Sequence, residues 1–138
     1  MSISFTDKLA ARIEKTGSAL CVGLDPRPVM DDLQAVPVLL RKVVEETAPY
    51  AAAFKPNIAY FEAMGLRGLE MLEELLPDMP DDVPVVLDVK RGDIGETQKY
   101  YAQAYFERLG VDAVTLSPFM GYDTLEPFLE YEGKGVYL

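Results

Sequence analysis

Short apolar runs that each end in a polar residue recur along this chain, separated by stretches with helical spacing. That alternation limits the fold more than any other feature. Residues 19–24 (A-L-C-V-G-L) stop at Asp25, residues 84–90 (P-V-V-L-D-V-K) end in charge, and residues 113–116 (A-V-T-L) stop at Ser117. Residues 51–55 (A-A-A-F-K) form a weaker run, because alanine fits helix as well as strand. Pro56 pushes Lys55 toward an extended conformation and favours the strand. Residues 135–138 read as the start of a fifth strand. Between these runs the spacing predicts helices over 4–15, capped by Ser4 and stopped by Gly17, and over 38–47. Further helices are expected over 57–76 with Asn57 as cap, over 95–109, and over 123–131. Pro26 and Pro28 stiffen the exit from the first strand, and residues 77–84 form a proline- and aspartate-rich connector.

Strand–helix alternation points to a parallel sheet with crossover helices. The placement of polar residues narrows it further. Leu20, Val22 and Leu24, Val85, Leu87 and Val89, and Val114 and Leu116 make one side of each strand apolar. Cys21, Gly23 and Asp25, Asp88 and Lys90, and Ala113, Thr115 and Ser117 make the other side small or polar. Asp25, Lys55, the Asp88–Lys90 pair and Ser117 all fall at C-terminal strand ends. An apolar outer face with chemistry gathered at one end is the layout of a TIM (β/α)8 barrel. Such barrels need about 250 residues, and this chain has 138. The chain is therefore expected to cover roughly the first half of a single barrel domain, strands 1 to 4 and the start of strand 5, in a longer protein. The alternative is a half-barrel that must protect an open edge.

Composition removes several function classes. About half the residues are hydrophobic, enough for one soluble domain with a core, and no low-complexity segment or linker divides residues 1–138. The net charge is -10, with no basic stripe to meet phosphates, which disfavours nucleic acid as a partner. The chain has no histidine, so it supplies no histidine triad or histidine metal ligand. A single cysteine, Cys21, argues against a disulfide scaffold and fits a reducing compartment. No apolar stretch approaches the roughly 18 residues of a membrane span. The first residues lack a basic-then-apolar leader pattern, so the expected location is cytoplasmic.

The segment from Val85 to Asp93, V-V-L-D-V-K-R-G-D, carries the strongest chemical signal. Alternation along the strand sends Asp88 and Lys90 to the same side, with Asp93 just beyond in a glycine-bearing turn. A lysine held charged among carboxylates at the end of a buried strand is a way to build a polar active site.

Four blocks make this specific: L-C-V-G-L-D-P-R-P from Leu20, F-K-P-N-I-A-Y-F-E from Phe54, L-D-V-K-R-G-D-I-G-E-T from Leu87, and V-D-A-V-T-L-S-P-F-M-G from Val111. Together, and in this order, they resemble the orotidine 5'-phosphate decarboxylases, most closely the bacterial branch with K-R-G-D-I-G-x-T. The resemblance implies decarboxylation of orotidine 5'-phosphate to uridine 5'-phosphate with no cofactor. It implies that Lys55, Asp88, Lys90 and Asp93 form an alternating lysine–aspartate catalytic array. By the same resemblance, Asp25 contacts the substrate, and Ile94 and Thr97 line its pocket. Asp93, implied to reach into the neighbouring subunit's site, and Thr97 imply a homodimer. The family's late glycine- and arginine-bearing phosphate loops have no counterpart in this chain.

Each residue also has a plainer role. Asp25 before Pro26 can form a turn, Lys55 can be a solvated strand end, and Thr97 can cap a helix. Ser117 before Pro118 reads as a turn residue, Cys21 as a small core hydrophobe, and Tyr100, Tyr101, Tyr105 and Phe106 as helix-packing surface. Three rival functions stand beside the decarboxylase. One is a metal-dependent sugar-phosphate decarboxylase or aldolase, with a motif aspartate on magnesium. A second is a non-catalytic module that binds a phosphate ligand, and a third is an assembly unit that survives by pairing its open edge.

Overall fold

The computed structural model describes residues 3–27 and 32–138. The exit at Pro28 lies outside the described residues. Helix α1 (Phe5–Thr16) starts where Ser4 Oγ accepts from the Asp7 amide and ends at Gly17, whose φ of 62° lets its N–H reach Ile13. Strand β1 (Leu20–Leu24) follows, then α2 (Ala35–Thr47), β2 (Ala51–Pro56), α3 (Ile58–Glu62) and α4 (Gly65–Leu75). Strand β3 (Val86–Arg91) leads to α5 (Gly95–Ala102), which widens into a π-helical turn over Gln103–Arg108. Strand β4 (Ala113–Leu116), α6 (Glu126–Leu129) and β5 (Gly135–Tyr137) complete the chain.

Three helical expectations change. The helix expected over 57–76 is two, because Gly65 turns left-handed at φ 67° and redirects the chain. The two then pack so closely that a Cβ at Gly68 would lie 1.9 Å from the Phe61 carbonyl oxygen. The helix expected over 123–131 reduces to one 3-10 turn at Tyr122–Thr124 and the four-residue α6, since Pro127 has no amide to continue a ladder and must sit at a helix start. The helix over 95–109 keeps its span but changes its winding, and the π turn buries the consecutive Tyr105 and Phe106 against Phe128.

Every strand pair is parallel. β1 pairs with β2, and β3, β4 and β5 form a second ladder. Single bridges from Phe54 to Val85 and from Asn57 to Asp88 join the two, so the spatial order follows the chain order. This is the first half of a β/α barrel, with successive strands side by side and a helical layer outside.

The expected alternation of faces holds except at Leu20, which is exposed at the start of β1 beside a register shift against β2. Leu24, Phe54, Val85, Leu87, Val114 and Leu116 point outward into the main core with Val36, Leu40 and Val44 of α2, Leu72 of α4 and Phe106 beyond α5. Fully buried Leu87 is a case where truncation to alanine costs about 2–5 kcal/mol. Ala53, Val86 and Ala113 point inward, where Phe5 and Leu9 of α1 cover them. Phe5 seats directly on Gly135, where any Cβ would meet its ring at 2.3 Å. Arg12, buried in α1, donates to the carbonyls of Ala48 and Ala51 and pairs with Asp82 at 2.6 Å, tying α1 to the loops before β2 and β3.

Cys21 is a correction. It is exposed, on an open interior face of about 300 Å3 lined also by Ile13, Ala52, Lys55, Thr115 and Tyr137. Strand alternation sent it inward, and inward is a core only where something fills the interior. Among the described residues no helix is long and apolar enough to cross a membrane.

Candidate active site

The site forms where β2, β3 and β4 end. β3 opens with regular pairing, Val86 to Ala113 and Leu87 to Val114, but its next partner is Arg91 with Leu116. Three residues of β3, Asp88, Val89 and Lys90, therefore face one residue of β4, Thr115. The strand bulges here. Lys90 sits at φ 45°, the one non-glycine residue in the left-handed region among the described residues. That conformation costs about 1–2 kcal/mol for a residue with a Cβ. Strain of this kind clusters at functional sites.

Asp88 is the centre. Its side chain is 8% exposed. One carboxylate oxygen accepts from Lys55 Nζ at 2.9 Å and Asn57 Nδ2 at 3.4 Å. The other accepts from Lys90 Nζ at 2.6 Å and Thr115 Oγ1 at 2.9 Å. Burial alone would push its pKa up, but the hydrogen bonds from Lys90, Lys55 and Thr115 outweigh it and bring the carboxyl down to about 2. Lys55 is pushed the other way. Its hydrogen bond to Asp88 raises its pKa against the opposing effect of burial, and the charges of Asp88 and Asp25 add to the rise. The result is a fixed carboxylate between two ammonium groups, one partly shielded and one, Lys90, with its side chain 70% exposed.

The structure brings Lys55, Asp88 and Lys90 together as one hydrogen-bonded unit. Asp25, at the end of β1, is exposed and acts on the array through its charge on Lys55. Asp93, Ile94 and Thr97 lie on the turn and first helical residues beyond β3. Asp93 Oδ1 accepts from the Ile94 amide at 2.8 Å, and among the described residues it makes no ion pair with Lys55 or Lys90. Ile94 is the exposed N-cap of α5, and Thr97 is half-buried in its first turn. The turn at residues 92–95 packs on the loop after β4, whose Phe119, Met120 and Tyr122 are exposed. Among the described residues no group of three or more histidine, cysteine, aspartate or glutamate side chains could hold a metal ion.

Two site residues were not assigned from the sequence. Asn57 reads there only as a helix cap, and it does accept from the Ala59 amide, but its other amide atom reaches Asp88. Thr115 reads only as a small polar residue on the inner face. The signal for both is position: each sits at the C-terminal end of a strand flanking β3.

Comparison with known proteins agrees with this geometry. A family model described as "Orotidine 5'-phosphate decarboxylase / HUMPS family" matches residues 18–137. A curated orotidine 5'-phosphate decarboxylase from Verminephrobacter eiseniae is 48% identical over 143 residues, covering 99% of this chain and 52% of that protein. The solved structure of Leishmania donovani OMP decarboxylase superposes with a TM-score of 0.90 at 44% identity, covering 98% of this chain and 52% of that one. Leishmania donovani UMP synthase superposes with a TM-score of 0.92 at 44% identity, covering 99% of this chain and 30% of that one. The chain spans about half the length of the curated relatives it matches. A family model matching residues 18–137 and relatives above 40% identical along nearly the whole chain show that the chain belongs to the orotidine 5'-phosphate decarboxylase / HUMPS family.

Proposed function

We propose that a complete barrel containing this chain decarboxylates orotidine 5'-phosphate to uridine 5'-phosphate, the last step of de novo pyrimidine nucleotide synthesis. The observation that carries the proposal is the Lys90 ammonium, presented from a strained bulge at a strand end and gripped at 2.6 Å by the buried Asp88. Loss of carbon dioxide leaves an electron pair in an sp2 orbital at carbon 6 of the pyrimidine, with no neighbouring carbonyl or imine to accept it. A fixed ammonium at that carbon stabilises the pair as the carbon–carboxylate bond breaks, then donates its proton to form the new C–H bond. Lys90 is left neutral and regains its proton from solvent. Asp88 keeps the Lys90 ammonium aimed through the 2.6 Å hydrogen bond, and its own charge, next to the departing carboxylate, is relieved as carbon dioxide leaves. Lys55 holds Asp88 and reaches a ribose hydroxyl, with Asp25 contacting the same part of the substrate.

In this proposal the active unit is a homodimer. Asp93 and Thr97 reach the partner subunit's site, supported by the absence, among the described residues, of an Asp93 ion pair to the array and by the exposed Phe119, Met120 and Tyr122 beside that turn, while Ile94 lines the substrate pocket. Residues 1–138 form the N-terminal part of one barrel domain, and the location is cytoplasmic. The test is to follow loss of orotidine 5'-phosphate with the complete barrel, with and without a strong chelator. Turnover insensitive to the chelator supports the proposal. No turnover, or turnover abolished by metal removal, overturns it in favour of sugar-phosphate chemistry or simple binding.

A further inference from the structure

We propose that Thr115 is a positioning residue for Lys90, its hydroxyl replacing the main-chain ladder across the β3 bulge and holding Lys90 in its left-handed conformation against Asp88. The role in turnover rests on the decarboxylase function proposed above, and the geometry stands without it.

Where three residues face one, a regular ladder cannot take every amide. The Val89 and Lys90 amides both end on Thr115 Oγ1, at 3.0 Å and 2.8 Å. A hydroxyl has two acceptor sites and one proton. Both acceptor sites are filled by these amides, so the proton has one direction left, and it goes to Asp88 Oδ1 at 2.9 Å. That same carboxylate oxygen takes the Lys90 ammonium. One hydroxyl therefore fixes the Lys90 backbone at one end and the acceptor of its ammonium at the other. A turn of Lys90 out of its positive φ would carry its amide off Oγ1 and leave a polar group unpaired, which offsets the strain of the left-handed state.

Few side chains can do this. Valine matches the shape and has no acceptor. Asparagine adds bulk, and its amide would bring N–H against N–H. Serine keeps the hydroxyl but loses the β-branch that holds the Thr115 rotamer. The sequence conceals all this, since a lone threonine in A-V-T-L reads as a strand former.

The test compares Thr115→Val with Thr115→Ser. In the full chain, Thr115→Val should speed hydrogen exchange at the Val89 and Lys90 amides by about tenfold or more and move the Asp88 carboxyl titration, followed by carbon NMR, upward. Thr115→Ser should restore both. In a complete barrel, Thr115→Val should lower kcat by about 100-fold, as for a misplaced catalytic group, while KM changes little and the barrel stays folded, and Thr115→Ser should recover most of it. If Thr115→Val does not fold, Thr115→Ala against Thr115→Ser gives the same comparison. Unchanged exchange and titration in the hydroxyl-free variant, or a serine variant as poor as the valine one, overturns the inference. A wild-type barrel that does not consume orotidine 5'-phosphate refutes the proposed function instead, and the exchange and titration results then decide the positioning role alone.

Discussion

Replacing Asp88 by asparagine keeps the side chain's shape and removes its charge, so the pH dependence of the loss reports how tightly the array holds that charge. The folded carboxyl titrates at about 2 against an ordinary value of 3.8. At 1.36 kcal/mol per pKa unit, that depression stabilises the folded chain by about 2 kcal/mol near neutral pH. Solvent screening takes little from this, because the side chain is 8% exposed. A folded pKa below the unfolded one gives stability that is present above 3.8 and lost as pH falls through about 2. The assay is urea unfolding of wild type and Asp88→Asn at a series of pH values. Wild type should lead by its largest margin near pH 6, and the margin should shrink by about 2 kcal/mol on reaching pH 2. The offset from leaving two lysines without a carboxylate partner is the same at each pH and cancels from the slope. A margin that does not change over this range would refute the idea that Lys55, Lys90 and Thr115 hold Asp88 ionised.

Two further outcomes follow from the proposed dimer and from the chain's length relative to its relatives. Lys90→Ala and Asp93→Ala proteins, each inactive, should recover about a quarter of wild-type activity on equal mixing, because half the dimers would be mixed and each would hold one intact site; no recovery under demonstrated subunit exchange would place Asp93 in its own chain's site. The 138-residue chain assayed alone should show no decarboxylase activity, since barrels commonly hold phosphate on loops after their last strands and remote binding energy lowers the barrier; turnover like that of a full-length relative would count against that dependence.

Much of the fold is legible in the residues because period-two alternation is a local property. Leu87 outward and Val86 inward follow from adjacency alone, and the same holds for Val114 and Ala113. The grouping of Lys55, Asp88 and Lys90 is legible for a related reason, as Lys55 and Lys90 lie next to strand ends and Asp88 two residues before Lys90. What escapes depends on a second strand. Alternation brings Asp88 and Lys90 to one side, but the observed convergence comes through a bulge and a left-handed Lys90, set by the register against β4. Thr115 gains its role only from that register. The break between α3 and α4 was visible at Gly65 and Gly68, yet glycine inside a helical pattern is often tolerated, and only the close approach to Phe61 makes it obligatory. Cys21 shows the converse: its side of the strand is readable, whereas its burial depends on what occupies the interior.

The central claim is that the Lys90 ammonium is what lowers the barrier, and turnover of Lys90→Ala in the complete barrel tests it most directly. Orotidine 5'-phosphate consumption should fall by about 1,000-fold or more in kcat, with circular dichroism close to wild type because the side chain is largely exposed, and with a stability loss no larger than the about 2 kcal/mol that the array gives through Asp88. A folded variant with near-normal kcat would contradict the claim.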